Sequence, residues 1–361
     1  VSWLNDLVDR RRRQTGESFQ TAAELLRLGV AGLPLIERSR LRAAAQEHVV
    51  PAPFGADPGL PSELRAALLP DAVTRPQIEL EACLLHAVSR SVDHLHNHPE
   101  GRLTRPAVVV RSVTPLPDRL QLRLDPLAVA PLLYEAMPFE FDEEVSGITG
   151  LRVRQHRRSV ELFLVDFPDA CVELLGVDGT AWRAAAAYRQ VRNRDAGGGS
   201  CLASAASDRL APAEVRSLAA YGRAFGPAEI ASGLLRRIAV LRDTLWIQTW
   251  AMGCAAFNVE WPGNDPRRAH VALVWADPLF GLPGAEIEAP TVLKFPASSS
   301  SCRGRNLCDS HQLRLRFTTL PQVNSESETL LASLRDCARP EWDAWHAAKG
   351  GMPAIDGSLL P

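Results

Sequence analysis

A chain of 361 residues, 46% hydrophobic and 23% charged, has the composition of an ordinary globular protein and is long for a single core, so two or three domains are expected. A net charge of −2 and a pI near 6.6 exclude a global field able to hold a polyanion, and any contact with nucleic acid has to come from a local patch. No apolar run approaches the roughly eighteen residues that cross a bilayer, which excludes a helical membrane span.

Of the 40 basic residues only Lys294 and Lys349 are lysine. With the many Ala, Leu, Val and Pro, that bias resembles the codon usage of a GC-rich genome such as an actinobacterium's, and it lowers the weight of any argument built on arginine content alone. The cysteines, Cys83, Cys171, Cys201, Cys254, Cys302, Cys308 and Cys337, are odd in number and scattered. The start, Val1 to Asp6, lacks the apolar core of a secretory signal. Free thiols in a reducing cytoplasm are expected, with no membrane association.

The fold expected is α+β: an N-terminal helical region over 1–48, a central mostly antiparallel sheet with helices over 62–194, and a second α+β domain over 208–350. Segments 49–61 and 195–207 serve as linkers. In the first region Trp3, Leu4, Leu7 and Val8 share a helical face and Gly16 stops that helix. Ser18 is placed to cap a second helix carrying Phe19, Ala22, Ala23 and Leu26, and a third follows Pro34. Three short helices admit a helix-turn-helix, with Arg10 and Arg11 as nucleic-acid contacts. The words Gln14 to Ala22 resemble a short motif near the N-termini of actinobacterial and plasmid proteins.

Pro51, Pro53, Pro58 and Pro61 make 49–61 an extended connection. A short helix over 62–69 precedes the clearest helical pattern, 77–96, where Ile78, Leu85, Val88, Val92 and Leu95 recur at near-heptad spacing and Pro99 follows the end. A Val-rich strand over 107–113 and an alternating one around Leu120, Leu122 and Leu124 come next, then a helix over 127–137. An acidic, aromatic loop from Glu135 to Glu144 follows.

Leu151 and Val153 alternate with Arg152 and Arg154, and Val160, Leu162 and Leu164 with Glu161, Phe163 and Val165. A period of two puts the aliphatic set on one face of a hairpin whose loop is His156 to Ser159. A third strand and a helix over 180–192 complete the order β-β-α-β-β-β-α.

After the Gly197-Gly198-Gly199-Ser200 linker, two helices over 212–225 and 227–243 meet at Gly226. Strands are expected over 255–261, 269–275, 291–295 and 312–320, with Pro262 to Pro266 as a hairpin loop between the first two. A helix over 325–337 and a Trp-rich segment over 340–348 close the chain. Trp246, Trp250, Trp342 and Trp345 suit either an interface or a core. No sequence repeat stands out at a fixed period.

Two constellations carry chemistry. Three of the nine His lie in Asp93-His94-Leu95-His96-Asn97-His98. Imidazole is the commonest transition-metal ligand, and His94 and His98 fall one helical turn apart. The run from His96 to Gly101 resembles the His-x-His-Pro-x-Gly core of JAMM-type metalloproteases, which implies a metal-dependent hydrolase holding a divalent ion through Asp93, His94, His96 and His98. The chain departs from that family in having no acid between Arg102 and Arg111. A weaker zinc pattern is Cys302, Cys308 and His311. The other constellation is basic: Arg152, Arg154, Arg157 and Arg158, with Arg183, Arg189, Arg192 and Arg194 beyond, as a phosphate-reading face. The leading functional expectation is a non-enzymatic accessory protein that binds nucleic acid or a protein partner, the alternative being the hydrolase.

Overall fold

In the computed structural model the described residues are 3–46, 62–99, 109–141, 144–195, 208–224, 226–244, 246–262, 267–296, 310–318 and 325–350. The fold is α+β. Four N-terminal helices come first: α1 (Trp3–Thr15), α2 (Phe19–Gly32), α3 (Leu35–Gln46) and α4 (Ser62–Leu68). Ser18 caps α2 by accepting the Thr21 N–H at 3.1 Å. Gly16 turns the chain between α1 and α2 at φ 71°, where a Cβ would meet the Arg111 carbonyl oxygen at 2.7 Å. Leu7, Val8, Ala22, Leu26, Leu41 and Leu64 build a small core that also takes in Leu279 and Phe280 from far along the chain.

Next come α5 (Arg75–His96), β1 (Val110–Pro115), β2 (Leu120–Leu124), α6 (Val129–Ala136), the short hairpin β3 (Phe139–Phe141) and β4 (Glu144–Ser146), β5 (Leu151–Gln155), β6 (Ser159–Leu164), β7 (Phe167–Leu175) and α7 (Gly179–Asp195). The acidic loop thus folds in part as a hairpin of its own, with Asp142 and Glu143 outside the described residues. The expected central hairpin forms with Leu151 opposite Leu164 and Val153 opposite Leu162. Leu151, Val153, Val160, Leu162 and Leu164 are all buried, which stabilises the sheet by about 1.5–3 kcal/mol for each full-sized side chain. The sheet runs β1-β2-β7-β6-β5, antiparallel except for the central β2–β7 pair.

The chain then forms α8 (Pro212–Tyr221), α9 (Ala228–Leu235), a 3-10 turn at Ile238–Leu241, β8 (Gln248–Met252), β9 (Ala256–Pro262), α10 (Arg268–Trp275), β10 (Glu286–Ala289), β11 (Val292–Pro296), β12 (Ser310–Thr318), α11 (Ser325–Cys337) and α12 (Arg339–Lys349). The strand expected over 269–275 is a helix. Val271, Ala272 and Trp275 are its buried residues, a spacing that serves one helical face. The physical reason lies in the sheet. Strand order is β10-β11-β12-β9-β8, so both sides of β9 are taken and the next strand sits at the far edge. The connection has to cross the sheet, and a helix crosses it.

The two sheets share one topology. In each, two antiparallel strands are followed by a helix, then three antiparallel strands, with the second and fifth strands paired in parallel at the centre. Each is preceded by a helix, α5 or α9, and these two helices pack on each other. One contiguous buried cluster includes α5, α9 and strands of both sheets. Trp342 and Trp345 belong to it, at 0% and 3% exposure, and so resolve as core. The expected linkers 49–61 and 195–207 fall outside the described residues except at position 195. Among the described residues no helix is long and apolar enough to cross a membrane.

Candidate functional site

The histidine cluster sits at the C-terminal end of α5, and the structure distributes it rather than gathering it. His94 Nε2 lies 2.7 Å from Glu135 Oε1 on α6, and His94 Nδ1 lies 3.1 Å from the Tyr188 hydroxyl on α7. His98 is buried against Trp342 on α12, ring centroids 4.4 Å apart, with His346 at 6.0 Å. His96 is half-buried, and burial lowers its basicity against the opposing pull of Asp93. Asp93 itself is exposed. Among the described residues no three His, Cys, Asp or Glu are grouped so as to hold a metal ion. The shared centre expected of Asp93, His94, His96 and His98 is therefore corrected. His94 and His98 each face a different helix and are engaged there. The run resembling the metalloprotease core follows a helix end, and its Glu100 and Gly101 lie outside the described residues.

What the cluster does form is a carboxylate–imidazole–phenol chain. His94 Nε2–H donates to the ionised Glu135; with Nδ1 protonated that nitrogen donates to the Tyr188 hydroxyl oxygen, and with Nδ1 unprotonated it accepts from the hydroxyl instead. That order can activate a hydroxyl. Here the hydroxyl is sealed: Tyr188 is fully buried, and burial, aided by Glu341, raises its pKa so that it stays protonated. Tyr188 also packs edge-on to Trp342, centroids 4.9 Å apart, and Arg192 pairs with the buried Glu341 at 3.0 Å. These contacts join α5, α6, α7 and α12. Glu135, Tyr188, Glu341 and Trp342 were not legible as one cluster, because they come from three separated segments.

Burial pushes the Glu135 carboxyl up, but the His94 hydrogen bond and charge, with Arg90 behind them, outweigh it and hold the group below its ordinary 4.5. A carboxyl depressed on folding contributes stability that is present above its unfolded value and is lost as pH falls through its folded value. Urea unfolding between about pH 5 and pH 3 is expected to show a steeper loss for the native chain than for Glu135→Gln. Parallel losses would remove the pair from the account of acid stability.

The arginines divide in the same way. Arg152 is fully buried beneath α8, paired with Glu214 at 2.8 Å. Arg11 is buried too, held by Glu17 at 2.6 Å and by the Leu68 carbonyl. Neither reaches a surface, which corrects their placing in a phosphate-reading face. Arg10 is clamped by Asp277 at 2.6 Å. Arg154 is exposed but pairs with Glu161 and lies 4.4 Å over the Phe163 ring. Arg157 and Arg158 are exposed in the hairpin loop. Beyond them Arg189 donates to the Pro138 carbonyl, Arg183 to Thr180 and Arg192 to Glu341, and Arg194 is exposed. The remaining zinc pattern has Cys302 and Cys308 outside the described residues, and His311 is buried in β12.

Two surfaces were not foreseen. A small apolar cavity of about 20 Å³, lined by Val88, Val92, Val110, Ile238, Leu241 and Trp246, is far below the volume of a ligand pocket. On either side of the turn from α2 to α3, α2 exposes Leu28 by 66% and the start of α3 exposes Leu35 by 79% and Ile36 by 63%. That corner is fixed from behind. Ala22, Ala23 and Leu26 bury the other face of α2, α2 packs on α4, and Arg38 donates to the Leu33 and Ala31 carbonyls at the end of α2 at 2.8 and 2.5 Å. Arg27, Arg40 and Arg42 are exposed on the same two helices, Arg40 pairing with Glu37 at 2.9 Å. These three aliphatic residues are thus exposed on two helices whose opposite faces are held by the small core.

No protein-family model, curated protein or solved structure matches the chain.

Proposed function

We propose that this protein is a non-enzymatic accessory protein, working in the cytoplasm by binding a protein partner through the corner between α2 and α3. The observation that carries this reading is the exposure of Leu28, Leu35 and Ile36 on a scaffold that does not use them for its own core. An apolar centre with a cationic rim suits a protein face with apolar and acidic residues. The nucleic-acid branch has less beneath it, since Arg10, Arg11, Arg152 and Arg154 are each engaged by a carboxylate. The hydrolase reading has less again: the phenol that ends the carboxylate–imidazole–phenol chain is buried in the core. Burial, only partly offset by Arg223, pushes the Cys83 thiol up to about 12, which disfavours the thiolate a nucleophile needs.

The test is affinity capture from extract of the source cells, native chain against Leu35→Glu/Ile36→Glu. Both positions are exposed, so the double variant keeps its fold, as circular dichroism will verify. The native chain is expected to retain a protein that the variant loses by about tenfold or more, as for an interface hot spot. Equal retention by both would take the corner out of the function. Retardation of duplex DNA that weakens with added salt would favour the nucleic-acid branch instead.

A further inference from the structure

The topology repeated in the two halves shows a second uncovered face. In the first half the helix after the last strand, α7, is covered by α6 and α12. The helix at the same place in the second half, α11, makes only slight contact with α12 and leaves Leu330 and Leu334 exposed by 62% and 42%. Those residues stand four apart, on one helical face. We propose that the leucine face of α11 in one copy of this chain docks on the α2–α3 corner of a second copy. This rests on the corner being a protein-binding surface and names its occupant.

Charge points to that occupant. Helix α3 carries Arg38, Arg40 and Arg42 against Glu37, whereas α11 carries Glu328 and Asp336 against Arg335. The two helices are opposite in net charge, and each presents exposed aliphatic residues, so pairing them covers both apolar faces while opposite charges meet at the rim. The surfaces belong to different parts of the chain. The contact is therefore heterologous, and any open assembly keeps one free donor face at one end and one free acceptor face at the other unless a ring closes.

Sedimentation velocity of the full chain tests this over about 1–100 µM, the range of a small interface. The native protein is expected to gain mass with concentration. Leu35→Glu/Ile36→Glu and Leu330→Glu/Leu334→Glu are each expected to stay monomeric. Mixed in equal amounts, the two variants should form a dimer and nothing larger, because each retains the face the other lacks. A monomeric native chain, a variant that still assembles, or a mixture that stays monomeric would each overturn the pairing. A monomeric native chain whose corner still captures a different protein would overturn the self-pairing while leaving the proposed function in place.

Discussion

Replacing Glu81 with Ala is expected to lower folding stability by about 3–5 kcal/mol, the cost of leaving a buried charge without its partner. Glu81 is fully buried on α5, where that helix meets α9. Its carboxylate accepts from Arg236 Nε at 2.8 Å and Nη2 at 2.6 Å, from Ser232 Oγ at 2.6 Å and from Gln77 Nε2 at 2.7 Å. Arg236 also donates to the Pro70 and Leu116 carbonyls at 2.8 and 3.0 Å, so its guanidinium binds the approach to α5 and the turn after β1 to the α9 side. Without Glu81 that guanidinium remains in the interior with two carbonyls and no counter-charge. Equilibrium urea unfolding reads the loss directly. The double variant Glu81→Leu/Arg236→Met removes both charges and should recover most of it, since an apolar pair of similar volume avoids the desolvation of two ions. A single-variant loss under about 1 kcal/mol would mean that water reaches this interface.

Arg152→Met is expected to cost about as much, again roughly 3–5 kcal/mol, whereas Arg157→Ala in the neighbouring loop should stay within about 0.5 kcal/mol. Arg152 donates to both Glu214 oxygens, at 3.0 and 2.8 Å, and to the Leu151 and Arg209 carbonyls. Glu214 accepts as well from the Gly150 and Ala211 N–H groups, each at 2.8 Å. This knot ties α8 to the edge strand β5. Burial raises the Glu214 carboxyl, but Arg152 and the two backbone donors prevail and hold it below 4.5. Its stabilisation is therefore present at neutral pH and lost as pH falls through the folded value. In Arg152→Met the carboxylate has lost its cation and takes up a proton more readily. The difference between native and variant chains should accordingly shrink from pH 7 towards about pH 4. A difference independent of pH would assign the loss to packing of the aliphatic stem rather than to charge.

Local order was legible wherever a segment's environment is one-sided. The alternation around Leu151 and Leu162 marked a hairpin with one dry face, and the near-heptad spacing from Ile78 to Leu95 marked a long helix. Both patterns are produced by the chain's own geometry against a single buried side. Where two periods fit the same residues, as in 269–275, spacing alone did not choose, and the order of strands in the sheet did.

Charge is where sequence and structure part most clearly. Arg152 and Arg154 are two residues apart on one strand and look alike in the sequence. One is sealed beneath α8 and the other is exposed to water. Arg11 and Arg12 are adjacent, and only the first is buried. The three histidines near the end of α5 were equally close in sequence, yet α6, α7 and α12 draw two of them to different partners. The likeness of the two halves lies in strand order, and no repeat at a fixed period announces it in the sequence. Hydrophobic periodicity is written residue by residue, because each side chain answers to its own strand or helix. The fate of a charge depends on which distant helix arrives to cover it, and desolvation makes that arrival decisive.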